Sequence, residues 1–193
     1  GRTKSDLRWN ATAYAQDQSF ASTFSSVNAA RTAETPASDQ FAVPATALGG
    51  AWTARWTDDR GGQIVAGLDL RTVRGETREN FIFVSGAFTR RRVAGGRQSF
   101  GGVFVMRELP LPEHVRLTLG GRLDEWNNLD GHRRETDRAT GAVLRDDHYD
   151  NRNGIGFSPN VGLVWRPNHP WRVRANAQQA FRVPTLNELY RPF

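Results

Sequence analysis

The chain has 193 residues, 38% of them hydrophobic, with a formal net charge of +6 and a mean hydropathy of −0.60. No run of about 18 apolar residues occurs, so no transmembrane helix is expected, and with no cysteine there is neither a disulfide nor a thiolate site. A barrel strand escapes that exclusion, because it crosses a membrane with about 9–11 residues of which only every second one is apolar.

Period-2 alternation recurs from end to end, and helical periodicity is nearly absent. The first segment sets Leu7, Trp9, Ala11 and Ala13 against Arg8, Asn10, Thr12 and Tyr14. The second sets Leu48, Trp52, Ala54 and Trp56 against Ala51, Thr53 and Arg55. In the third, Ile64, Ala66, Leu68 and Leu70 oppose Val65, Asp69 and Arg71. Alternation is weak in the fourth, where Phe100, Phe104 and Met106 oppose Val103 and Val105. The fifth is the cleanest, with Val115, Leu117, Leu119, Gly121 and Leu123 against Arg116, Thr118, Gly120 and Arg122. Phe157, Val161, Leu163 and Trp165 then oppose Ser158, Asn160 and Arg166. Finally, Trp171, Val173, Ala175 and Ala177 oppose Arg172, Arg174, Asn176 and Gln178. Side chains of successive strand residues point to opposite faces, so the fifth segment has one greasy side and one wet, cationic side.

The connections alternate in length. Long polar stretches near 20–47, 73–98 and 127–154 are read as loops, and short turns rich in Gly, Pro or Asx fall at 58–62, 109–113 and 167–170. Short turns at one end and long loops at the other describe an outer-membrane barrel. Trp9, Trp52, Trp56, Phe100, Trp126, Phe157, Trp165 and Trp171 fall at or near expected strand ends, as a girdle at the headgroup level requires. The sequence therefore predicts an all-β fold, an antiparallel up-and-down meander of about seven strands forming a partial transmembrane β-barrel. Its expected location is the bacterial outer membrane.

The stretch Phe181-Arg182-Val183-Pro184-Thr185-Leu186-Asn187-Glu188-Leu189-Tyr190 resembles the F-R-x-P-x-x-x-E-L-Y signature of TonB-dependent receptor barrels, matching at Phe181, Arg182, Pro184, Glu188, Leu189 and Tyr190. Phe157 to Pro167 and Gly67-Leu68-Asp69-Leu70-Arg71 are similar to other strands of such barrels. The resemblance implies a plugged barrel of about 22 strands, so residues 1–193 are expected to be one region of such a barrel, without its plug or its remaining strands. It also implies a receptor that takes up a scarce nutrient, with the TonB complex acting through that plug, and no catalytic activity.

If the polar face is luminal, Arg55, Arg71, Arg116, Arg122, Arg172 and Arg174 line the lumen with Arg8 and Arg166, against Asp69 and Asp124. Guanidinium forks suit carboxylate, phosphate and catecholate-type oxygens, and with the resemblance this implies an anionic metal chelate, such as a ferric siderophore, as the cargo. The plainer reading is that these arginines are structural and pair with plug carboxylates.

Other constellations carry less. Asp146-Asp147-His148-Tyr149-Asp150 has oxygen ligands for Ca²⁺ but lacks the Gly and terminal Glu of an EF-hand loop. His114, His132, His148 and His169 have no metal-ligand spacing, so neither a metal nor a cofactor is expected. Arg90-Arg91-Arg92 reads as a solvated loop able to meet lipopolysaccharide phosphates. The alternative to a receptor is a soluble basic β-sheet protein that binds nucleic acid or polysaccharide. Such a sheet interleaves aromatics and Arg on one face, whereas here they mostly take opposite faces, so nucleic acid is not an expected partner. Outer-membrane lipid is, and the excised segment is expected to self-associate through its open edges.

Overall fold

The computed structural model describes residues 6–112, 114–168 and 170–191. The first five residues, Glu113, His169, Pro192 and Phe193 lie outside the described residues, so the histidine reading extends to His169 by sequence only.

The described chain is a run of antiparallel hairpins: β1 (Asp6–Val27), β2 (Glu34–Thr57), β3 (Gln63–Val84), β4 (Ala87–Leu111), β5 (Val115–Asp137), β6 (Val143–His148), β7 (Arg152–Trp165) and β8 (Val173–Gln178). A five-residue helix, α1 (Leu186–Tyr190), follows. The sheet order is β1-β2-β3-β4-β5-β7-β8, with the short β6 paired to β5 beside that path. This is the expected seven-stranded meander, an open piece of barrel wall.

The ladder fixes which side chains share a face. One lateral row runs Ala11, Trp52, Leu68, Val103, Leu123 and Phe157. A row on the opposite face runs Tyr14, Gly49, Arg71, Phe100, Trp126 and Gly154. The first face stays bare: Trp9 is 69% exposed, Leu70 63% and Phe157 61%. An apolar face of this breadth must meet hydrocarbon. On β5 it runs from Val115 to Leu123, which fits the span of a bilayer core.

Two expectations need correction. The stretches read as long loops are mostly strand. β1 to β5 are 22 to 25 residues long, about 75–85 Å at about 3.4 Å per residue and far beyond a bilayer. The connections at that end shrink to residues 28–33, the two residues Ser85 and Gly86 at φ 49° and 86°, and the turn 138–142. Above the membrane both faces of a strand meet polar surroundings. Hydropathic alternation therefore disappears there while backbone pairing continues.

The aromatic girdle is also only partial. Trp9, Trp52, Trp56, Phe157 and Trp165 share the outer face, but Phe100, Phe104 and Trp126 lie on the inner face among the arginines. Phe104 stands directly across from Arg122 and lies over Gly67, where a Cβ would come within 2.6 Å of its ring. Trp126 lies over Gly154 in the same way. Neighbouring glycines leave the space that these flat rings occupy.

Candidate functional site

Residues 179–191 leave the end of β8 and fold back across the inner face as a strap, held by a chain of specific contacts. The Phe181 ring covers Gly156, and the Pro184 carbonyl accepts a hydrogen bond from Gln98 Nε2 at 2.6 Å. Thr185 caps α1 through a capping box: its Oγ1 accepts from the Glu188 N–H, and the Glu188 carboxylate accepts from the Thr185 N–H at 2.8 Å. Such a box satisfies two otherwise orphaned donors of a helix start. Arg182 closes it with a bidentate pair to Glu188 at 2.9 and 2.8 Å. Arg182 first, then Thr185, hold the Glu188 carboxyl down to about 2. Tyr190, 6% exposed, lies over Gly96 and Gly131, with its ring centroid 5.1 Å from that of Tyr149.

Under the strap lies a charged core. Glu79 on β3 is fully buried and bonded by Arg92 of β4 at 2.7 Å, Ser38 of β2 at 2.8 Å and Arg191 at 2.8 Å. Burial pushes its carboxyl up, but the Arg191 and Ser38 hydrogen bonds and the Arg92 charge outweigh that and leave it below the usual range. Glu135 also lies 3.6 Å from Arg92, so the Arg92 guanidinium faces two carboxylates. Asn187 and Thr77 complete the contact between strap and wall at 3.5 Å.

The six sequence-predicted basic residues fall into different situations. Arg122 is held by Asp69 at 2.6 Å and by Asp124 at 2.5 Å, and Arg116 by Glu108 at 2.5 Å. Their charges are answered within the wall. Arg71 instead stacks on Phe100, with its guanidinium carbon 4.8 Å from the ring centroid. Among the described residues Arg71 and Arg55 have no ion-pair partner, and Arg55 stands across from Arg8. Arg174 pairs across to Val164 beside the short β7–β8 turn. Arg172 is exposed there, and Arg166, then Arg174, push its pKa down by like-charge repulsion. The structure thus brings Arg71 and Arg122 together near the strap and places Arg116, Arg172 and Arg174 at the opposite end of the strands.

A cavity of about 490 Å³ opens between strap and wall, lined among others by Arg71, Phe100, Arg122, Asp124, Phe181 and Arg182. It combines aromatic faces with guanidinium edges, which suits a flat anionic group. Sequence reasoning found Arg71, Arg122, Phe181 and Arg182 but missed Phe100 as an inner-face residue. It also missed Glu79, Arg92 and Arg191. No polar–apolar alternation marks Glu79, since residues 77–81 read Thr-Arg-Glu-Asn-Phe inside a stretch taken for loop.

The acidic stretch 146–150 is drawn into ion pairs: Asp147 pairs with Arg145 at 3.2 Å and meets the Tyr149 hydroxyl at 3.5 Å. Among the described residues no group of three or more His, Cys, Asp or Glu is placed to hold a metal ion. Arg90, Arg91 and Arg92 are strand residues that face alternately. Arg90 pairs with Asp137 at 2.7 Å, Arg91 stacks on Phe41, and Arg92 is buried on Glu79. They do not form a basic loop.

Residues 2–193 match the family model described as "TonB dependent receptor-like, beta-barrel". The chain is also similar to the protein named "Iron-regulated outer membrane virulence protein" of Vibrio cholerae serotype O1, in both its classical Ogawa and El Tor Inaba strains. Each is 31% identical over 86 residues, a match that covers 45% of this chain and 10% of the relative.

Proposed function

The chain belongs to the TonB-dependent receptor-like β-barrel family and is outer-membrane barrel wall, and on that premise we propose that it lines the route by which its parent receptor binds and admits an anionic metal chelate, such as a ferric siderophore. Family membership and the bare apolar face decide against a soluble nucleic-acid or polysaccharide binder. The residues proposed to meet the chelate first are Arg71 and its stacking partner Phe100, beside Phe181 of the strap. Arg55, Arg116, Arg122, Arg172 and Arg174 take secondary parts, because ion pairs or distance from the strap set them apart.

The observation that carries this reading is the state of Arg71. An arginine laid flat on an aromatic ring keeps its N–H edge free to donate to oxygen ligands. Ion-paired Arg122 supplies field without offering a free edge. The TonB complex would act through a plug seated in the completed barrel, moving it so that the chelate passes along the inner face. No bond is made or broken in that step, in keeping with a receptor family.

In the full-length receptor, Arg71→Ala should weaken binding of an anionic ferric catecholate by on the order of tenfold, followed by quenching of intrinsic fluorescence. Arg174→Ala, at the opposite end, should change it little. Unchanged affinity in Arg71→Ala would sink the reading. Excised from the barrel, the chain exposes the unpaired edge of β1 over 22 residues, and we infer that it self-associates there. A monodisperse monomer in light scattering would refute that inference.

A further inference from the structure

The outer face carries a second feature that the receptor reading does not use. Just above the apolar belt, one row past the Thr72–Ser99 hydrogen bond, Arg74 on β3 and Arg97 on β4 are direct cross-strand partners. Like charges set directly opposite on a sheet repel each other. They line the outer groove of about 600 Å³ together with Arg78, His132, Glu76 and Asp130.

The carboxylates in the groove are already engaged. Glu76 pairs with Arg78 and lies 3.6 Å from His132, while Asp130 lies 3.4 Å from Arg97 with both side chains largely exposed. Among the described residues Arg74 has no ion-pair partner. Asp17 shares its row but stands beyond Thr46, two strands away. Two facing arginines, of which only Arg97 has a carboxylate within reach, have room for a further anion.

The position of the groove says which anion. It faces outward, away from the lumen and the strap, and begins where the hydrocarbon-facing side chains stop. That is the headgroup layer of the outer leaflet. We propose that Arg74 and Arg97 bind a phosphate of a phosphorylated lipid headgroup in the outer leaflet, with Arg78 as a flanking donor. Arginine presents several N–H donors to phosphate oxygens in fixed geometry, and at the membrane surface the two charges are answered together. The lipid then anchors the wall at a fixed height.

The test uses the full-length receptor in phosphatidylcholine vesicles carrying bisphosphorylated lipid A, with retained lipid measured by native mass spectrometry. Arg74→Gln/Arg97→Gln should retain less lipid A, by on the order of tenfold per arginine lost. Arg74→Lys/Arg97→Lys should retain an intermediate amount, and chelate affinity should be unchanged in both, which separates this site from the luminal one. Unfolded variants are recognised by loss of the heat-resistant gel mobility of a closed barrel, and Arg74→Gln alone then serves. Equal retention in the glutamine variant, or equal retention of dephosphorylated lipid, overturns the proposal. Displacement of the lipid by millimolar inorganic phosphate also overturns it, in favour of a free-phosphate site.

Discussion

The transmembrane belt and the strapped upper wall are built from the same strands, yet they are stabilised by opposite means. In the belt the outer side chains are apolar and bare, and nothing in the protein covers them; their partner is lipid. Under the strap the buried residues are mostly polar: Ser38, Gln40, Thr77, Glu79, Arg92, Gln98 and Asn128, against Ala94 and Tyr190 as the buried apolar ones. The belt thus takes its stability from the solvent it faces. The upper wall takes its stability from paired charges, which succeed only if every partner is present.

The sharpest way to break that contrast is to remove a partner. Glu79→Leu removes the buried carboxylate that Arg92 and Arg191 share and should cost about 3–5 kcal/mol in urea unfolding, with the strap becoming protease-sensitive. An unchanged midpoint would show that the charged core is not what holds the strap.

Next in size is a pair of neighbours on β4. Val105→Arg puts a charge on the lipid face and should cost about 2–4 kcal/mol for a barrel folded into vesicles, whereas Met106→Arg, facing the lumen, should cost far less. Equal costs would mean that the two faces are misassigned.

A smaller effect is expected at Gly131, where a side chain would displace the Tyr190 ring. Gly131→Val should cost about 1–3 kcal/mol through overpacking and speed cleavage within the strap.

Acid titration should give the smallest effect. The Glu188 carboxyl lies at about 2 in the folded strap against an ordinary 4.5. A depressed folded value means that its contribution is complete above about pH 4.5 and is lost as pH falls towards 2. Protection of the strap from an acid-active protease should fall through that window in the native protein. In Glu188→Gln that dependence should weaken, leaving the part that protonation of Glu79 contributes through its hydrogen bond to Arg191.

How far the sequence could be read followed the same division. In β5 the Val115–Leu123 alternation gave the strand, its faces and its lipid side at once, because a greasy partner demands a greasy stripe. In β4 the reading failed for Phe100: it was expected in the girdle, but strand register sets it on the inner face under Arg71. The stretches 20–47 and 73–98 were misread as loops because strands with polar surroundings on both faces leave no hydropathic trace. The signature at Phe181–Tyr190 was legible as a family mark, but its role as a strap was not.

What the sequence by itself determined is therefore local and periodic: strand after strand, the outer face, the positions of the tight turns, and the residue pattern of the family. Tertiary structure alone decided which arginines are free. Arg71 and Arg122 look alike in the chain, but strand register brings Asp69 of β3 to Arg122, which Asp124 of its own strand also holds, and lays Arg71 on Phe100. It also carried Arg191 across more than a hundred residues of sequence to Glu79. Pairing across strands depends on register and on the path of the returning chain, and neither is written in the spacing of residues along a single strand.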